Sequence, residues 1–223
     1  MDMQHIMHNI DKVYLITSFA ENDNPERLGL CKTAQETISQ SVPCDHIKVT
    51  SQNEWEKAWR DIKEDCAEGI APLIHLAMHG DIDGIHIQGL GQYAWSDLMN
   101  CLEEVNNNCN HQLVVFMQVC HGAHCLEELK QMKRPPFFIM LASLDRIDIG
   151  NTFSNLKYFY EKAANGTLGD AIWTYVEKVK ASESFYPNIN HQWSLFKKND
   201  SLPNELFECL ITPNNDKGET SQL

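Results

Sequence analysis

The sequence predicts an α/β fold with a mainly parallel central sheet flanked by helices. Three observations lead there. Short β-rich runs alternate along the chain with amphipathic stretches of helical spacing, the pattern of successive βα units. Two of those runs, "LIHLAM" at residues 73–78 and "LVVFMQV" at 113–119, are near-continuous in apolar residues instead of alternating, which suits strands covered on both faces. The chain has 223 residues, 43% of them hydrophobic, enough for one such domain with a sizeable core.

Taken in order, the first strand is expected at residues 13–19, then a polar loop at 23–29 and a helix at 30–41. Pro43 interrupts the chain before a second strand at 44–50. Ser51, with Glu54 three residues on, has the form of a capping box opening a helix over 52–69 that Gly69 ends. After a third strand at 73–78, residues 84–108 read as a small hairpin and a helix, with Ser96 as N-cap and three asparagines at its end. A fourth strand at 113–119 and a short helix at 125–133 come next, and Pro135-Pro136 leads into a fifth strand at 137–143. Helices are expected at 152–164 and 168–180, with Gly166 stopping the first. Trp55, Trp59 and Trp173 fall on helical patterns as core or helix-packing residues. Periodicity dissolves beyond residue 181, so 1–190 is taken as the main domain and 191–223 as an irregular segment with a disordered end.

The formal net charge is −13, and no Lys/Arg cluster exceeds an adjacent pair such as Lys197-Lys198. Binding to a phosphate backbone needs cationic neutralisation, so nucleic acid is not an expected ligand. An acidic surface fits a basic protein partner or serves solubility. The eight cysteines are scattered, at 31, 44, 66, 101, 109, 120, 125 and 209, in a chain too core-rich to be a disulfide-stapled mini-fold. Free thiols in a reducing cytoplasm are the expectation. No apolar run approaches the roughly 18 residues of a membrane span, and no leader with a basic start and long apolar stretch is recognisable at the beginning.

Both apolar runs end in a reactive side chain followed closely by glycine: His79-Gly80 in "HLAMHGDIDG" and Cys120 in "QVCHGA". In open α/β sheets ligands bind beyond the carboxyl ends of the strands, where both of these residues fall. A thiol becomes a strong nucleophile as thiolate, and a nearby imidazole that takes its proton is a common way to achieve this. Gly80 lets backbone approach a ligand, and its N–H with that of Cys120 is placed to face a developing oxyanion. Taken singly, a histidine at a strand end is more often structural and a cysteine in "QVC" is usually core. The conjunction of both tips, both glycines and the α/β pattern favours catalysis.

"HLAMHG" followed by "QVCHGA" resembles the His-Gly and Cys motifs of caspase-like cysteine peptidases, and "HLAMHG" is especially similar to the His motif of the separase-related CHAT family. The stretch from Phe137 to Val179 resembles the family's strand, substrate loop and two helices. The resemblance spans about three quarters of the chain. It implies a caspase-like three-layer sandwich. It also implies a cysteine endopeptidase working through a thioester acyl-enzyme, with His79 as general acid/base, Cys120 as nucleophile and Gly80 and Cys120 as oxyanion-hole N–H groups. No metal or organic cofactor is implied. The implied partners are a protein substrate and an activating protein, and bacterial antiviral defence is one family context. Departures are the Val119 before and the His121-Gly122 after the cysteine, where CHAT members usually carry Ala and then Ser-Gly. Gln118 resembles the caspase glutamine that helps form a pocket for an acidic P1 residue, although the matching arginines are not evident. The loop "SLDRIDIGN" takes the place where caspase-like enzymes add the substrate as a strand, so Ser143, Asp145 and Asp148 are candidate substrate contacts. The two aspartates would favour a basic P1 residue, or Arg146 pairs with one of them, or both are solvated.

Two other functions compete. A caspase-like scaffold without catalysis would keep the fold and bind a partner. A zinc site would draw on His75, His79, Cys120, His121, His124 and Cys125, although His75 lies inside a strand and no CxxC pair is present. Asp81 and Asp83 fall short of a calcium ligand set and either tune the imidazole or face solvent.

Overall fold

Among the described residues of the computed structural model the elements follow in the order β1 (Lys12–Ser18), α1 (Pro25–Ser39), β2 (Cys44–Lys48), α2 (Gln52–Ala67), β3 (Pro72–Gly80), β4 (Gly84–Ile87), β5 (Gly91–Ala94), α3 (Trp95–Asn108), β6 (Val114–Gln118), a 3₁₀ segment (Gly122–Gln131), β7 (Ile139–Ser143), α4 (Ile149–Asn165), α5 (Leu168–Glu183), β8 (Trp193–Lys198) and β9 (Phe207–Ile211). The structure describes residues 10–20, 25–132, 134, 136–143, 146–147, 149–165, 168–183, 193–198 and 207–211.

The sheet runs β2-β1-β3-β6-β7-β8-β9. Its first five members are parallel, and β8 and β9 return antiparallel. Successive side chains of a strand point to opposite faces, and here both faces are covered. Tyr14, Ile16, Ile74, Leu76, Val115 and Met117 pack with α2 and α3. Val13, Leu15, Leu73, Ala77, Val114 and Phe116 pack with α1, α4 and α5. That is a three-layer α/β sandwich, as the apolar runs predict. It is why 73–78 and 113–119 show no alternation: neither face of either run meets water.

Helix α2 shows the local logic. Trp55, Ala58, Trp59, Ile62 and Cys66 are its buried residues, one stripe at helical spacing. Ser51 caps it, accepting from the Glu54 amide, while the Glu54 carboxylate returns to the Thr50 amide at 2.7 Å and the Thr50 hydroxyl at 2.8 Å. Gly69 comes after it with φ +100°, the left-handed exit that favours glycine.

Four expectations need correction. Helix α1 begins at Pro25, inside the stretch read as a loop, because proline suits the first helical position, where no amide partner is needed. Helix α3 begins at Trp95 and is not capped by Ser96. Trp95 is instead anchored by burial and by its indole N–H, which donates to the Ile82 carbonyl at 3.1 Å. Trp173 is 51% exposed and is not a core residue. Within the segment taken as irregular, β8 and β9 add two strands to the sheet edge. Of the expected short helix at 125–133, residues 125–131 belong to the 3₁₀ segment, which ends at Gln131. The expected disordered end and the Gly166 stop lie outside the described residues. No helix among the described residues is long and apolar enough to cross a membrane.

The β4–β5 hairpin lies over the carboxyl ends of the first two strands. The Gln88 amide donates to the Ser18 hydroxyl at 2.8 Å, and that hydroxyl donates to the Val49 carbonyl at 2.9 Å. Gly89, at φ +75°, rests against the Thr50 carbonyl where a Cβ would collide. The carboxyl ends of β3 and β6 lie next along the sheet.

Candidate active site

Strands β3 and β6 are hydrogen-bonded neighbours, with Leu73 opposite Val114 and Ala77 opposite Gln118. The offset in this register is 118 − 77 = 41. His79 and Cys120 have the same offset, 120 − 79 = 41, and stand two residues beyond the last paired positions, His79 still within β3 and Cys120 in the turn that follows β6. His79 shares the parity of Leu73 and Ala77 and so belongs to the α1/α4/α5 face, and Cys120 follows directly on the adjacent strand end. Neighbouring strands lie about 4.8 Å apart, a spacing over which an imidazole and a thiol meet. Both residues are partly exposed, at the point where the sheet ceases to be covered. The His79 ring also meets Phe19, just past β1, edge-on with ring centroids 5.6 Å apart.

Each tip is shaped by its glycine. A Cβ on Gly80 would sit 2.9 Å from the Cys120 carbonyl oxygen and overlap the Val119 side chain, so only glycine lets the two tips approach this closely. After Cys120 the chain turns at once. His121 takes a left-handed φ of 58°, the Gly122 amide donates to the Val119 carbonyl at 3.2 Å, and a Cβ on Gly122 would press on Met117 Sδ at 2.9 Å.

The direction of the Gly80 amide is set by the β3–β4 ladder. His79 pairs with His86 and Gly80 with Ile85, and the Asp81 amide donates to the Gly84 carbonyl at 2.9 Å. Antiparallel pairs alternate between hydrogen-bonded and non-hydrogen-bonded positions. Asp81–Gly84 takes the first kind, so Gly80–Ile85 takes the second, and the Gly80 N–H points away from β4 toward the side of β6.

Asp81 organises the turn beyond the tip of β3. Its Oδ1 accepts from the amides of Asp83 at 2.8 Å and Gly84 at 3.1 Å and from the Gln92 side chain at 3.3 Å, while Oδ2 meets His86 Nε2 at 2.7 Å. Partial desolvation works against the carboxylate, but the His86 and amide hydrogen bonds outweigh it and lower its pKa.

His75, four residues before His79, has a wholly different environment. It is 0% exposed, with Nε2 2.9 Å from Gln118 Oε1 and Nδ1 3.0 Å from the Tyr160 hydroxyl, and its ring stacks on Phe116. Burial lowers its pKa to about 4, against a smaller raising effect from Gln118, so the ring is neutral at pH 7. By the rise of a strand it lies about 13 Å from His79, too far to ligate one ion with it.

Two candidate substrate residues are misplaced for that role. Gln118 is 1% exposed and turned inward onto His75, because it shares the parity of Val114 and Phe116 and so faces α4. Ser143 is fully buried at the end of β7. Asp145 and Asp148 lie outside the described residues. Among the other thiols, Cys125 is fully buried near Met140, and that burial pushes its pKa far up. Seven cysteines have described side chains and all seven are free thiols. His124 Nδ1 lies 3.7 Å from Glu127 Oε1, and no group of three or more potential metal ligands occurs among the described residues. Sequence inspection missed Phe19 and Tyr160. An apolar residue just past a first strand, and a tyrosine on the buried stripe of α4, were the available signals.

No protein-family model matches the chain, and no curated protein matches it. Among solved structures it is similar to iotapain, a secreted C11 cysteine protease from Bacteroides thetaiotaomicron. The TM-score is 0.41 and the identity 8%, over 85% of this chain and 67% of that one.

Proposed function

We propose that the protein is a cysteine peptidase of the caspase-like kind, with Cys120 as nucleophile and His79 as general acid/base. The observation that supports this is the close approach of two adjacent strand ends, those of the paired strands β3 and β6, which bear a partly exposed imidazole and a partly exposed thiol. His79 takes the Cys120 proton as Sγ attacks a substrate carbonyl carbon. The Gly80 and Cys120 amides face the oxyanion that forms. Collapse breaks the C–N bond, His79 returns the proton to the leaving amine, and a thioester remains. Water, deprotonated by His79, then releases the carboxylic acid and regenerates the thiol. None of these steps needs a metal or organic cofactor. The finer assignment, a CHAT-like endopeptidase acting on a protein substrate and woken by a protein partner, rests on the resemblance carried by "HLAMHG" and "QVCHGA", and a cytoplasmic location rests on the scattered cysteines.

An electrophilic peptide probe tests the proposal. Labelling should be lost in Cys120→Ala and His79→Ala and kept in Cys125→Ala. A protein that reacts equally at several thiols, or keeps its label without Cys120, is a scaffold of this fold and not a peptidase.

A further inference from the structure

A neutral, buried histidine two hydrogen bonds deep in the sheet is costly unless it organises something, because every polar atom it brings inside must be matched. The bonds around His75 have a definite direction. Gln118 Oε1 can only accept, so His75 Nε2 carries the hydrogen, and the bare Nδ1 accepts from the Tyr160 hydroxyl. Tyr160 is itself fully buried, and that burial keeps its hydroxyl protonated. The chain Tyr160 O–H to His75 to Gln118 thus runs from α4 through β3 to the last residue of β6.

Gln118 matters because it stands at the root of the Cys120 turn. Backbone pairing between β3 and β6 ends at Ala77 and Gln118, and Cys120 stands two residues further on, entering the turn through left-handed His121. A strand end beyond its last ladder bond frays unless a side chain holds it. The Gln118 side chain supplies that hold, tying the turn to the same strand that carries His79.

We infer that His75 is a positioning residue for Cys120, acting through Gln118, in the peptidase site proposed above and resting on that reading. It touches no substrate. It fixes the distance between thiol and imidazole across two strand tips, where a displacement of about 1 Å costs on the order of 100-fold in rate.

The test uses the full chain, iodoacetamide at pH 7 and mass-spectrometric quantification of each cysteine. In the parent, His79→Ala should slow alkylation of Cys120 by about tenfold or more. In Gln118→Met and in Tyr160→Phe backgrounds the same His79→Ala change should matter by less than about threefold, as expected when two sites lose their coupling. Buried Cys66, Cys109 and Cys125 serve as internal reporters of folding and should stay protected. Gln118→Glu, which keeps an acceptor toward His75 Nε2, should restore the dependence on His79. Full His79 dependence in both backgrounds overturns the inference and leaves the peptidase reading standing. Loss of protection at the three buried thiols in step with any change at Cys120 also overturns it, since the relay would then only hold the fold. A parent whose Cys120 ignores His79 overturns the peptidase reading itself, and this inference with it.

Discussion

Two histidines on one face of β3 meet opposite fates. His75 is sealed under α4, neutral, stacked on Phe116 and bonded at both nitrogens, whereas His79 is partly exposed and bordered by the edge of Phe19. Only four residues separate them, so residue type and strand face are held constant and cover alone differs. Where helices close over the sheet, an imidazole is a structural hydrogen-bond relay. Where they stop, the same side chain is open to solvent, as the proposed role in proton transfer requires. Cys120 and Cys125 repeat the contrast, one at the uncovered tip and the other fully buried.

Substitution at the two histidines should differ in what is lost besides activity. His79→Ala should lower kcat/KM of peptide cleavage by about 1000-fold, with an unfolding midpoint close to the parent's. His75→Ala should lower cleavage as well, and in addition destabilise the fold by about 2–4 kcal/mol in urea unfolding, since it opens a cavity and strands the Gln118 and Tyr160 polar atoms. A stable His75→Ala, or a His79→Ala that unfolds, would erase the distinction.

Crowding at the tips gives the next largest effect. Gly80→Ala should force Val119 and Cys120 aside, costing about 1–3 kcal/mol and reducing cleavage more than tenfold. Measured together, the two losses show whether the tips must touch for the site to work.

Acid should find the covered histidine. The folded value of about 4 lies below the ordinary 6.5, so between those limits the unfolded chain binds a proton that the folded chain refuses. Stability from this group is therefore complete above pH 6.5 and falls as the pH drops toward 4, by about 2 kcal/mol between pH 7.5 and 5. His75→Phe should flatten that slope in paired denaturation curves.

The smallest effect belongs to the turn beyond His79. Asp81→Asn keeps an acceptor for the Asp83 and Gly84 amides and should shift the thermal midpoint by only about 1–2 °C, whereas Asp81→Ala should cost about 1 kcal/mol. The exposed partner His86 adds little to this, as exposed pairs generally do.

The sheet was legible in the sequence because two-sided burial leaves an unmistakable pattern in "LIHLAM" and "LVVFMQV". The Ser51 cap was legible because it is a local device. What escaped depended on contacts between distant residues. Trp95 begins α3 by docking on Ile82, against the local preference for Ser96, and Gln118 turns inward because His75 waits there, 43 positions away in sequence. Counting parity from Val114 through Phe116 to Gln118 would have shown that the glutamine faces the helices and not the substrate. The strands at 193–198 and 207–211 lack a clean alternation, and an antiparallel edge pair needs none when β7 supplies the template.

The matching spacing of 41 residues has a consequence for how such a site is altered. Because a pleated chain turns its side chains over at every step, inserting or deleting a single residue near either tip rotates one reactive group to the far surface of the sheet. A change of length within either strand would therefore disrupt the proposed pair outright, with no intermediate geometry.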